Sequence, residues 1–225
     1  MPGAFRAYYG ADTAAARIQP MPPSTPLVFK DIGVEPSPAE GGRAKASARD
    51  RLLRAAGELF YEHGIGAIGV DAIVERAGVA KMTLYRNFRS KSELVCAWLE
   101  RRDQGWQALF ERTVLASDRE PGDKILAIFD VLEEWFNSDD FQGCAYINAD
   151  AERVDADAHT VILRHKQSMH DIFRTLAKEA GLDAPESVSE QLFLLMEGSM
   201  VTARVQRSSW PAAAARAAAA RIIGQ

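Results

Sequence analysis

Between residues 81 and 91 the chain gathers side chains that suit contact with a polyanion. Lys81, Thr83, Tyr85, Arg86 and Asn87 surround two apolar positions, Leu84 and Phe88. At about 100° per residue, Leu84 and Phe88 share one side of a helix and leave the polar set around the rest. Lysine and arginine bring charge to phosphates or reach guanine. Threonine and tyrosine hydroxyls suit phosphate oxygens, and asparagine can pair adenine through two atoms. Met82 could touch a thymine methyl at the start of the helix. Lys91 opens the next helical segment, where main-chain amides and the helix dipole also favour a phosphate. With Lys45 and Arg49 upstream, these residues form the expected DNA-contact set: Lys45, Arg49, Lys81, Met82, Thr83, Tyr85, Arg86, Asn87 and Lys91.

Such a helix must be held against others. Ser47 can cap a first helix with Leu52, Leu53, Ala56, Leu59 and Phe60 inward, and Gly64 is expected as its left-handed stop. A short second helix, about Val70 to Ala77, turns inward Ile73, Val74 and Ala77. Gly78 breaks it, because a tight turn there needs positive φ without a Cβ penalty. The third helix covers about Lys81 to Phe88. Ser90 and Glu93 then form a capping box that opens a long helix through Leu94, Val95, Trp98, Leu99, Trp106, Leu109, Phe110 and Val114. Helix, glycine turn and helix from 64 to 88 is the layout that sets a second helix in the major groove. Beyond Pro121–Gly122 the chain stays helical, first in a helix bearing Ile125, Phe129, Leu132 and Phe136, then near 143–152, 157–180, 186–206 and 210–223, with no credible alternating strand. The expected class is all-α: a three-helix DNA-binding domain at 43–91, then a larger helical-bundle effector-binding and dimerisation domain at 92–225. Residues 1–42, with six prolines between Pro20 and Pro38, are expected to be a disordered tail.

The stretch GVAKMTLYRNF at Gly78 to Phe88, followed by Ser90–Lys91–Ser92–Glu93–Leu94, resembles the DNA-binding signature of the TetR family of one-component bacterial regulators. The resemblance is close over residues 47 to about 98 and elsewhere rests on helical layout. The segment Gly143 to Asn148 resembles one subgroup. The resemblance implies phosphate contacts at Thr83, Tyr85 and Lys91, and base or groove contacts at Lys81 and Arg86. It also implies dimerisation through the last two long helices and a small-molecule pocket in the body. Gly69, Ala80, Met82 and Asn87 depart from the commonest family pattern, which bears on the operator that is read.

Charge supports a two-part chain. Residues 43 to 91 carry ten basic against five acidic residues, a net +5. Residues 92 to 225 carry 14 against 22, a net −8. A basic module on an acidic body suits a polyanion on one part only, which argues against a purely structural nucleoid binder. Gly198, Ser199 and Ala203 are expected to let a partner helix approach, giving a homodimer whose recognition helices sit about 34 Å apart. The expected effector lining is Trp106, Phe110, Asn148, Glu152, His165 and Met169. No cofactor, metal or catalytic residue is expected. His159, His165 and His170 do not share a helix face. The two cysteines, Cys96 and Cys144, lack zinc-ligand spacing and read as reduced, buried hydrophobes. With no apolar run of membrane length and no secretory pattern, a cytoplasmic regulator is expected, an expectation that rests on the motif rather than on charge alone. The alternative is a helical-bundle enzyme or cofactor-binding protein with a structural helix-turn-helix.

Overall fold

The structure, a computed structural model, describes residues 46–225; the Pro-rich segment and Lys45 lie outside the described residues. Among these the chain is all-helical. The elements are α1 (Ala48–His63), α2 (Val70–Ala77), α3 (Lys81–Asn87), α4 (Lys91–Phe110), α5 (Pro121–Phe136), α6 (Ala145–Ala151), α7 (Ala156–Glu179), α8 (Pro185–Gln206) and α9 (Trp210–Ile222). A π-helical turn, Glu111–Leu115, extends α4 where the sequence predicts a continuing α-helix.

The caps explain where the first elements begin and end. The Ser47 side chain accepts the Asp50 amide, and the Ser90 hydroxyl accepts that of Glu93. Glu93 reaches back to the Arg89 amide at 2.7 Å, one residue before the partner a standard capping box uses. Gly78 takes the left-handed conformation, φ 62° and ψ 43°, that the turn before α3 demands. Gly64 differs from expectation: its φ is 90° but ψ is 153°, so it leaves α1 in an extended direction open essentially to glycine alone.

Leu52, Ala56, Phe60, Ile73, Leu84, Phe88 and Leu94 are buried, tying α1 to α4 into the N-terminal unit. Lower on α4, Trp106, Leu109 and Phe110 are buried with α5 residues such as Ile125, Phe129 and Trp135. A single apolar core thus runs from one part to the other, and α4 belongs to both. The expected boundary at residue 91 falls at the first residue of this shared helix. In the body α7, α8 and α9 pack on α5. Cys144 is buried, whereas Cys96 is only half-buried. Among the described residues, no helix is long and apolar enough to cross a membrane.

Candidate nucleic-acid interface and effector site

The geometry of α3 follows from two anchors. Leu84 and Phe88 are almost wholly buried, which turns the opposite side of the helix outward. Lys81, Met82, Tyr85 and Arg86 are exposed there, with Thr83 and Asn87 half-buried at the margins. Met82 leaves 65% of its surface in solvent and Tyr85 43%. Neither side chain packs into the core, so both are free to meet a partner. Neither α2 nor α3 has a side-chain cap, since Gly69 and Ala80 stand at the N-cap positions.

Several expected contacts are engaged within the chain. The Lys81 ammonium sits 2.7 Å from Asp71, and that carboxylate raises the lysine's pKa by hydrogen bond and charge. Both groups are exposed, so the pair is weak and readily exchanged for a phosphate. The Asn87 amide donates to the Thr83 carbonyl, 2.8 Å away in its own helix. Arg49 lays its guanidinium over the Phe88 ring at 4.6 Å. The Lys91 ammonium donates to the Ile65 carbonyl and approaches the Phe60 ring, 5.8 Å from its centroid.

Other residues that position this surface are not legible as a motif. Arg51 donates to the Ala77 and Gly78 carbonyls at 3.3 and 3.2 Å, holding the end of α2 and the turn before α3. No local pattern points to it, because its partners lie 26 and 27 residues away. Glu152, at the end of α6, accepts the Ile65 and Gly66 amides at 2.9 and 2.5 Å. Tyr61 donates to the Gly143 carbonyl at 2.8 Å and accepts the Gln142 amide at 3.0 Å. The acidic body therefore holds α1 and the loop after it through two separate polar links.

The six residues expected to line one effector site are distributed. Asn148 and Glu152 border a crevice of about 10 Å³ shared with Phe60, Tyr61, Trp98 and Ala149. That is below the usual size for a drug-like ligand. The Asn148 amide donates to the Gln142 carbonyl at 2.9 Å. Trp106 stacks on Phe110 with ring centroids 5.5 Å apart and meets Trp135 edge-on at 4.7 Å. His165 is buried on Asp103, Nδ1 to Oδ1 2.7 Å, and its ring lies 3.6 Å from that of Tyr146, nearly parallel. Burial lowers the His165 pKa, against the pull of the Asp103 carboxylate. Met169 is buried one turn further along α7. The other two histidines of α7 have partners of their own: His159 meets Asp150 at 2.8 Å and His170 meets Ser189 at 3.1 Å.

The expected close-approach stripe on α8 is corrected by the structure. Ser199 and Ala203 are buried within the chain, because they face the other body helices. The outward face carries Leu194, Gly198, Val201 and Val205, with the three larger residues 68, 46 and 76% exposed. Their spacings of four, three and four residues repeat a coiled-coil seam.

Comparison with known proteins agrees with this layout. The profile described as "Bacterial regulatory proteins, tetR family" matches residues 52–97. The chain is 44% identical over 72 residues to the transcriptional activator FasR of Mycolicibacterium smegmatis, covering 30% of this chain and 33% of FasR. It is 32% identical over 108 residues to the transcriptional repressor ComR of Escherichia coli, covering 48% of this chain and 51% of ComR. The match thus spans between a third and a half of these two relatives. A solved TetR-family transcriptional regulator from Streptomyces coelicolor superposes with a TM-score of 0.74 at 28% identity, covering 79% of this chain and 94% of that one.

Proposed function

The chain belongs to the TetR family of bacterial transcriptional regulators, and from that premise we propose that it is a homodimeric repressor that binds an operator through α3 and leaves it when a small effector occupies the body. The observation that carries the DNA-binding part is the exposure pattern of α3. Leu84 and Phe88 are sealed beneath the helix, while Lys81, Met82, Tyr85 and Arg86 stand in solvent above them. In this reading Thr83, Tyr85 and Lys91 hold phosphates, and Lys81, Met82 and Arg86 address the groove. Lys91 exchanges its Ile65 carbonyl, and Lys81 its Asp71 carboxylate, for DNA oxygens.

Two copies associate through the outward face of α8, joined by Trp210, Ala213, Ala214 and Ala217, which are exposed on α9. The pairing sets two recognition helices about one DNA turn apart. An effector that prefers a body conformation with the wrong spacing lowers operator affinity by its differential affinity for the two states. FasR is named an activator and ComR a repressor; in this chain the effector releases the operator. The test is fluorescence anisotropy of a labelled duplex from the protein's own promoter region, at two salt concentrations, beside a scrambled duplex. Selective binding that weakens steeply with salt supports the reading. Equal binding to both duplexes overturns it.

A further inference from the structure

Arg102 is a buried cation with no anion beside it among the described residues. It lies on α4 at the junction of the DNA-binding unit and the body, only 6% exposed. Its guanidinium stacks over the Tyr61 ring at 4.3 Å. Among the described residues it makes no hydrogen bond and no ion pair, and its Nε is shut off from solvent without a partner. The nearby carboxylates are engaged elsewhere. Asp103 gives one oxygen to His165 and the other to Gln107, and both Glu152 oxygens take loop amides. Asp140, whose charge reaches Tyr61, forms no ion pair with it. A buried charge in this condition is costly, and the cost is recovered when an anion arrives.

We propose that Arg102 receives the carboxylate of a small monoanionic ligand seated among α1, α4 and α6, which deepens, and rests on, the reading that the body takes an effector. The guanidinium fork matches a carboxylate through two parallel hydrogen bonds. Burial pushes the Tyr61 and Tyr146 hydroxyls above the usual phenol range, with the Arg102 charge pulling the other way, so both stay neutral beside the anion. A small crevice on Tyr61 is bordered by Phe60, Trp98, Ala145 and Ala149, the apolar groups a short tail would part. With a volume of about 10 Å³ it holds one water-sized group, so a tail enters only as these side chains move apart. Glu152 at its border disfavours a second negative charge on the ligand. Because Tyr61 is bonded to Gly143 and Gln142 of the body, a ligand that draws Arg102 off the Tyr61 ring disturbs a link between α1 and the body.

The test titrates the full chain with sodium propionate, butyrate and benzoate, each against its neutral amide at matched ionic strength, by calorimetry and thermal shift. The carboxylates are expected to bind about tenfold or more tightly than their amides, as a charge-assisted pair in a buried site implies. Arg102→Met should abolish that preference while leaving the ligand-free melting midpoint unchanged or higher, since the unpaired charge is gone. Equal binding of acid and amide to the wild type overturns the proposal. So does a preference that survives Arg102→Met, or a midpoint that falls sharply in this variant, which would make Arg102 a structural stud on Tyr61. Should Arg102→Met fail to fold, Arg102→Lys carries the test: charge without the fork should weaken the carboxylates and spare the amides. Carboxylates that bind through Arg102 but leave operator affinity unchanged support the site and refute the effector reading. Uncharged molecules that release operator, with no carboxylate preference, refute the site and leave the effector reading standing.

Discussion

Replacing Glu152 with alanine removes the link between the end of α6 and the loop after α1. The carboxylate accepts the Ile65 and Gly66 amides at 2.9 and 2.5 Å. A hydrogen bond to a charged group contributes about 1.5–3 kcal/mol when buried. Glu152 is exposed, and water can replace it at the Gly66 amide, so each bond is discounted to about 0.5–1 kcal/mol. Glu152→Ala is therefore expected to cost about 1–2 kcal/mol in all, read from urea unfolding as a lower midpoint at unchanged slope. A second substitution makes the reasoning specific. A Cβ at Gly66 would lie 3.1 Å from Glu152 Oε2, and Gly66 has no positive φ to add strain. Gly66→Ala should thus displace the carboxylate in the wild type and cost less once Glu152 is alanine. The double-mutant cycle should show coupling of about 0.5–1 kcal/mol, the range for groups in contact. A cost for Glu152→Ala below about 0.3 kcal/mol, with Gly66→Ala equal in both backgrounds, would refute the link.

Leu84→Ala, at a position with no exposed surface, should cost about 2–5 kcal/mol and disorder α3; retention of full stability would contradict its place as the anchor. Tyr85→Ala should weaken binding to all duplexes alike, while Arg86→Ala should also relax preference at one base pair, checked by anisotropy across operator variants; identical profiles would contradict the division of roles. The His165 pKa is depressed in the fold, so the unfolded chain takes up the proton first as pH falls through about 6.5. His165 stabilisation is thus complete above that pH and declines toward the lower folded pKa. The stability gap between wild type and His165→Asn should shift against the wild type from pH 7.5 to 5, and a constant gap would contradict it. Leu194→Lys with Val201→Lys should yield monomers in sedimentation velocity with the helical content kept; a persisting dimer would place the interface elsewhere.

Residues close in sequence carried most of the fold. The Ser47 and Ser90 caps, the Gly78 turn and the apolar rows from Leu52 to Phe60 act over one helical turn or one face, so their types and spacing specify α1 to α4. The exposed face of α3 was legible for the same reason: once Leu84 and Phe88 point inward, the remaining side chains turn outward. Local rules were weaker where two directions were open. Both sides of α8 are apolar or small, so periodicity did not tell the buried Ser199 and Ala203 from the exposed Leu194, Val201 and Val205; packing against α7 and α9 decided it. The links across the chain were decided by tertiary structure alone. Arg51 to the end of α2, Glu152 to the Gly66 amide, Asp103 to His165 and the unpaired Arg102 over Tyr61 join residues 26 to 86 positions apart, or 41 in the last case. No sequence period reports which charge meets which amide at such distances. That choice follows from how the helices pack, and from the cost of leaving a buried polar group without a partner.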